Sequence, residues 1–384
     1  MSDYEFMAPC HFGIESVLKN EILDLGLDIG EVSDGKVCFM GNEETFAQAN
    51  IFLRTAERII WKLGSFKATT FDELFEGVKS IEWEEILPPD AKFWVTKASS
   101  VKSTLFSTSD IQSIVKKAIV DRLRQKFGIA WFPESGNSYP LRVSILKDIV
   151  TIGIDTTGES LHKRGYRKLV GMAPLSETLA SAMISLTPMN EDRILVDPFC
   201  GSGTIPIEAA MKALNMAPGA KRSFTCETWK ERVPEKIFKK ERERAEYGIK
   251  RNVKLDITGY DIDKEQVKIA RQNAALAGLE GMINFVCAPV SSLKSDKEYG
   301  FIITNPPYGE RLEEKEALPP LYKEIGEAFD RLPTWSKYVI SSYEDAPKYI
   351  GRKPDKNRKI YNGMIKTYYY SFLGPKPQKK PEDR

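Results

Sequence analysis

Three short segments carry the residue types and spacings that suit chemistry. Asp197-Pro198-Phe199-Cys200-Gly201-Ser202-Gly203-Thr204 lies between an apolar run, RILV, and a helical pattern that continues through Leu214. Small residues at such a turn let backbone N–H groups approach a ligand at a helix N-terminus. The turn lacks the G-K-[ST] ending of a phosphate loop and opens on an acid, so Asp197 repels phosphate and attracts a cation. An adenosyl cofactor with an amino group and a sulfonium suits that environment better than ATP. A second apolar run ends Gly259-Tyr260-Asp261-Ile262-Asp263, where Asp261 stands as the acceptor for two ribose hydroxyls. A third ends Asn305-Pro306-Pro307-Tyr308-Gly309, whose paired prolines lock extended backbone. The Oδ1 of Asn305 and the carbonyl of Pro306 could accept both N–H groups of an exocyclic amine, pushing density back onto a delocalised nitrogen. Tyr308 would stack on the base, worth roughly 1–3 kcal/mol.

Each segment alone also reads as an ordinary connection: a strand-to-helix turn, a strand end, a proline turn with a surface tyrosine. Their order on successive strands argues for a single site. Other chemistries find little support. Two histidines, His11 and His162, leave few hydrolytic mechanisms that need an imidazole, and His11 reads as a loop side chain. Five scattered cysteines without a C-x-x-C pair give neither a disulfide framework nor a zinc site, so no metal is expected.

The elements that must position these segments alternate in the second half. Ser176–Leu186, the run from Gly203 and Lys264–Ala277 read as helices, and RILVDPF, ITGYDID, INFVCA and YGFIITN as strands. That grammar predicts a doubly wound, mostly parallel α/β sheet. KIYNGMIKTYYYSF adds an antiparallel hairpin at its edge, marked by Asn362-Gly363. The first half reads as α+β: an amphipathic Ile14–Leu25, a helix over Phe71–Val78, a strand FWVTKAS, a helix over 111–127 capped by Thr108-Ser109-Asp110, and a hairpin around Lys147-Asp148.

Length and composition agree with two or three globular domains: 384 residues, 42% hydrophobic and 29% charged. No stretch approaches the ~18 apolar residues of a membrane span and the acidic N-terminus lacks a signal-peptide flank, so a cytoplasmic protein is expected. The charge is asymmetric: residues 1–165 hold 19 basic and 24 acidic residues, and 166–384 hold 37 and 30. Lys212–Leu255 alone holds 13 basic and 6 acidic residues. It is also an excursion, because Gly201 and Asp261 are 60 residues apart where about 20 is usual. A basic insertion at that edge is expected beside the site and facing RNA, although opposite charges three and four apart also describe a solvated helix.

With those residues in hand, the chain resembles the THUMP-domain class I RNA methyltransferases along nearly its whole length. LHKRGYR (161–167), APLSETLA (173–180), DPFCGSGT, GYDID and NPPYGER (305–311) carry the likeness. The resemblance implies a Rossmann-like sheet preceded by ferredoxin-like and THUMP modules. It divides the chain into 1–64, 65–160 (a boundary open to interleaving), a methyltransferase domain over 161–373, and a disordered tail over 374–384. It implies S-adenosyl-L-methionine as cofactor, held by Pro174, Leu175, Thr178, Asp197, Phe199 to Thr204, Asp261, Ile262, Ala288 and Asn305. Where many relatives place an acid for the adenine amine, this chain reads Val286-Cys287-Ala288, so backbone contact at Ala288 is expected instead. Asn305, Pro306, Pro307 and Tyr308 are the implied catalytic residues. Lys163, Arg164, Arg167 and Arg311 are candidate RNA contacts, with packing between the two halves as the other reading of the linker residues. The implied activity is guanine-N2 methylation in 23S rRNA by a monomer. Transfer RNA, an N6-adenine, a glutamine amide, or RNA binding without catalysis remain open.

Overall fold

The computed structural model describes residues 4–129, 131–167, 175–309 and 312–377. The first half runs β1 (Tyr4–Pro9), α1 (Glu15–Asp24), β2 (Asp28–Ser33), β3 (Lys36–Gly41), α2 (Thr45–Phe52), β4 (Ile60–Lys67), α3 (Phe71–Lys79), β5 (Lys92–Val101), α4 (Thr108–Phe127), β6 (Ser138–Leu146) and β7 (Ile149–Asp155). The second runs α5 (Glu177–Ser185), β8 (Leu195–Asp197), α6 (Thr204–Ala213), α7 (Glu235–Tyr247), β9 (Ile257–Asp261), α8 (Lys264–Ala277), β10 (Asn284–Cys287), β11 (Phe301–Thr304), α9 (Leu312–Asp330), β12 (Ser336–Ser341), α10 (Ala346–Ile350), β13 (Lys356–Asn362) and β14 (Ile365–Phe372).

Local signals explain most boundaries. Thr70 and Glu73 form a reciprocal capping box at α3. Asp263 caps α8 through the Glu265 N–H, and Gly278 closes it in the left-handed conformation. Lys147 and Asp148 take φ of 52° and 64° between β6 and β7, the turn a two-residue hairpin needs. Thr108-Ser109-Asp110 form the first turn of α4 rather than its cap; Ser107 holds the cap position, its hydroxyl meeting Ser109 Oγ at 3.2 Å and capping no helix N–H. In the last hairpin Asn362 pairs with Ile365, so the turn residues are Gly363-Met364, one step beyond the expected Asn-Gly.

Among the described residues the strands form two sheets of seven, ordered β2-β3-β1-β4-β7-β6-β5 and β10-β9-β8-β11-β12-β14-β13. The first sheet is continuous. β4 joins β1 on one side and β7 on the other, so the division expected at residues 64/65 falls inside a shared central strand. In the second sheet β10 to β12 are parallel and β14 runs antiparallel to both neighbours, as the doubly wound reading requires. β12, which the periodicity leaves unassigned, separates β11 from the hairpin. The start of the expected tail is held: the Gly374 N–H donates to Ser336 Oγ at 3.1 Å, while residues 378–384 lie outside the described ones.

The basic excursion keeps Lys221, Lys236, Lys239 and Lys254 exposed, but it has a structural part as well. It straps the second half onto the first. Trp229 is buried and stacks on Tyr139 with centroids 4.9 Å apart, and its Nε1–H donates to Ser138 O at 2.9 Å. Gly219 N–H donates to Ile51 O, and Cys226 N–H to Thr156 O. The charges follow the same direction: Lys240 pairs with Glu44 at 2.6 Å, and Arg222 donates to Ser160 O at 2.8 Å. Exposed ion pairs contribute about 0–1 kcal/mol each, so the buried aromatics hold the joint. One apolar core accordingly runs from Phe6 and Phe39 through Trp229 and Ile237 to Leu195 and Ile303. Trp229→Ala should cost about 3–5 kcal/mol. Urea unfolding should then show a lowered midpoint and a transition split between the halves; an unchanged single transition would remove Trp229 from the joint.

Candidate active site

The carboxyl ends of β8, β9 and β11 open into one cavity of about 830 Å3. Its walls include Asp197, Gly201, Asp261, Ile262, Ala288 and the run Asn305–Gly309. The three segments singled out by their chemistry therefore meet at a single rim, the edge where open α/β sheets bind ligands.

Asp197 ends β8 and is 1% exposed. Its Oδ1 accepts the Phe199 N–H at 3.1 Å and the Thr304 hydroxyl at 2.7 Å. Thr304 immediately precedes Asn305, so this bond ties the glycine turn to the strand that carries the proline motif. Burial pushes the Asp197 carboxyl up to about 7, against the lowering effect of those two bonds, and nearby Asp261 adds to the rise. Asp261 Oδ2 accepts the Gly201 N–H at 2.9 Å and Oδ1 the Asp263 N–H at 2.9 Å. A carboxylate has about four acceptor sites, so two remain for hydroxyls. Gly203, at φ +88°, does not line the cavity. A Cβ there would stand 3.0 Å from that of Ala270 and 3.2 Å from the Phe285 ring, so its absence lets α6 approach α8 and β10. Ala288 lines the wall, yet its N–H is taken by the Asp261 carbonyl at 3.0 Å, leaving its own carbonyl for any backbone contact.

At the proline motif the Tyr308 hydroxyl donates to Asn305 Oδ1, which orients the amide. Tyr322 on α9 donates to Pro307 O at 3.2 Å and bonds Ser341 Oγ on β12 at 2.6 Å, pinning the loop from behind. Neither Thr304, Tyr322 nor Ser341 carries a local signal in the sequence. Asn362, Gly363 and Ile365 also reach the cavity from the hairpin, a placement that no spacing along the chain announces.

Several expected residues lie elsewhere. Leu175 lines the cavity, but Thr178 is fully buried and donates to Glu57 Oε1, so it is not on the wall. Arg164 is 5% exposed, donates to Leu161 O and Arg54 O, and faces Glu208 at 3.5 Å. Arg167 is equally enclosed, on Leu175 O at 2.8 Å and Glu177 at 3.3 Å. Arg164 thus packs the halves together and Arg167 braces the start of α5, so neither guanidinium is open to solvent. Lys163 is exposed and paired with Glu159. Pro174 and Arg311 lie outside the described residues. His11 is no bland loop residue: it bonds Tyr361 O at 2.9 Å and Ser176 Oγ at 3.0 Å. Among the described residues no His, Cys, Asp and Glu gather as a metal site, and no helix is long and apolar enough to cross a membrane.

Fold and cavity together define a class I, S-adenosylmethionine-dependent methyltransferase. The RMKL-like methyltransferase domain pattern matches residues 164–371, the RlmL ferredoxin-like domain 5–60 and the THUMP domain 68–155. The chain belongs to the RMKL-like methyltransferase family. It is 46% identical over 383 residues to the putative RNA methyltransferase YpsC of Bacillus subtilis (strain 168), covering 99% of each chain. It is 32% identical over 401 residues to ribosomal RNA large subunit methyltransferase K/L of Marinobacter nauticus, covering all of this chain and 54% of that protein. The chain thus spans about half the length of that relative. The solved structure of SMU.472, a putative methyltransferase complexed with SAH, superposes with a TM-score of 0.92 at 43% identity, covering 98% of this chain and 100% of that one.

Asp197 carries a pH signature. Its folded-state affinity for a proton exceeds the unfolded one, so its ionisation opposes folding progressively from about pH 4 to about pH 7 and uniformly above. Asp197→Asn should therefore gain melting temperature relative to wild type as pH rises from 5 to 8. A difference that stays flat over that window would show that Asp197 does not titrate there.

Proposed function

We propose that the chain methylates the exocyclic N2 of a guanine in 23S rRNA, in the cytoplasm. The observation that carries this reading is the shared cavity: Asn305 and Tyr308 stand on the rim that also holds Asp197 and Asp261. The K/L relatives, named for the large-subunit ribosomal RNA, support the choice of RNA.

The walls fit an adenosyl cofactor. Asp261 presents acceptors for ribose hydroxyls, and Ile262 beside it is 75% exposed, an apolar face suited to a purine. Gly201 at φ +48° has no atom within 4 Å of where a Cβ would project, leaving room for a ligand against the backbone. When bound, S-adenosylmethionine supplies a methyl group on a positively charged sulfur. Asp197, buried beneath the turn, answers that charge best when ionised.

The protein's own part is orientation. Asn305 Oδ1 has two lone pairs, one engaged by the Tyr308 hydroxyl and one open to a substrate amine. Accepting that N–H, with the Pro306 carbonyl accepting the other, holds the nitrogen in line and raises its electron density before transfer. Tyr322 and Ser341 keep the loop from yielding. The Tyr308 ring offers the stacking surface for a base turned out of its helix.

Asn305→Ala should leave cofactor affinity largely intact while cutting methyl transfer about 100-fold or more; calorimetry and single-turnover assays read the two separately. Ribosomal RNA from cells lacking the protein, treated with purified enzyme and digested to nucleosides, should gain N2-methylguanosine. Appearance of N6-methyladenosine instead would overturn the guanine assignment, and absence of heat with S-adenosylmethionine would point to a non-catalytic RNA-binding factor.

A further inference from the structure

The last hairpin ends at the mouth of the cavity. Asn362, Gly363 and Ile365 line its wall, and between them Met364 stands 96% exposed. Single exposed apolar side chains are common and mean little alone. Location and surroundings distinguish this one.

The turn is tight. Asn362 pairs with Ile365 and Gly363 adopts φ +61°, leaving two residues to reverse the chain. The hairpin is also braced from the N-terminal module. The Lys359 carbonyl would lie 2.2 Å from a Cβ on Gly13, an approach only glycine permits. His11 Nδ1 lies 2.9 Å from Tyr361 O, Phe12 packs edge-on against the Tyr361 ring at 5.7 Å, and Arg358 donates to Gly13 O at 2.9 Å. The tip is thus held at a set distance from Asn305 and Tyr308. Residues 356–366 carry Lys356, Arg358, Lys359 and Lys366 and no acid, all four exposed; Lys366 pairs with Glu344 at 2.9 Å and Arg358 also reaches Ser16 Oγ, while Lys356 and Lys359 pair with no acid among the described residues. A cationic ribbon with an apolar tip matches the chemistry of a stacked polyanion: phosphates along the flanks and base faces at the point.

We infer that Met364 is a wedge that enters the RNA base stack and fills the gap left when the target base turns into the cavity. The inference rests on the base-methylation reading above and adds the residue that makes room for the base. An unbranched thioether conforms to an irregular gap, and methionine is among the side chains that other proteins insert between base steps. Met364 is a positioning residue: it acts on the neighbouring bases and touches neither cofactor nor reacting nitrogen.

The test uses the full chain and a stem fragment of ribosomal RNA carrying the guanine that the enzyme methylates in intact ribosomal RNA. That guanine is paired with cytidine in one version and set opposite an abasic site in the other, where extrusion costs less. Met364→Ala should lower kcat/KM about 10-fold or more on the paired stem and less than about 2-fold on the abasic one, because the wedge offsets unstacking. Met364→Leu should keep nearly full activity on both, and calorimetry with S-adenosylmethionine should not distinguish the variants. Equal losses on the two stems would make Met364 an ordinary RNA contact and overturn the inference, as would full activity of Met364→Ala on the paired stem. Failure of the wild-type enzyme on both stems would overturn the base-methylation reading and this inference with it.

Discussion

One carboxylate joins the parts of this molecule. Glu57, in the connection between α2 and β4, meets His11 from the N-terminal module at 3.2 Å and His162 from the linker at 3.0 Å, and accepts the Thr178 hydroxyl of α5. These are the only histidines in the chain. Burial alone would raise the Glu57 carboxyl, but the hydrogen bonds from His11, His162 and Thr178 outweigh it and hold it well below the usual range. The ionised form is therefore the folded form. Because His11 also bonds Ser176, which caps α5, and Tyr361 in the hairpin, the same cluster fixes two walls of the cavity, at Leu175 and at the hairpin tip. The N-terminal half is bonded into the site's frame and is not a tethered capture module.

That coupling also accounts for the uneven charge. An acidic first half sits awkwardly with RNA binding until the excursion is seen lying against it. Lys240, Arg232 and Arg222 bond groups of the first half and its linker, while Arg242 pairs with Glu227 and Arg244 with Glu241 within the excursion. Part of the excursion's charge is thus turned onto the first half, while Lys221, Lys236, Lys239 and Lys254 stay exposed. The exposed cations of the hairpin lie along the strands that lead to its tip, where they can attract phosphate.

Within the cavity a second link has comparable reach. The Thr304 hydroxyl on Asp197 makes the glycine turn and the proline motif parts of one hydrogen-bonded unit, with Tyr322 and Ser341 closing it from the opposite side. Methyl transfer tolerates little error in distance or angle, and such bonds supply the rigidity through residues that never touch the substrate.

The amino-acid sequence by itself determined the alternation of strands and helices, the hairpins, and the three segments of the site, because each depends on period, turn chemistry or backbone restriction within a few residues. It could not say that the side chains of Arg164 and Arg167 are enclosed, that Thr178 is buried against Glu57 and off the cavity wall, that His11 is a junction, or that the last hairpin reaches the cavity at Asn362, Gly363 and Ile365. Those outcomes were decided by the tertiary structure. Whether a charge meets water, RNA or another part of the chain depends on what long-range burial places opposite it, and residues 100 to 350 positions apart leave no local pattern to announce their meeting.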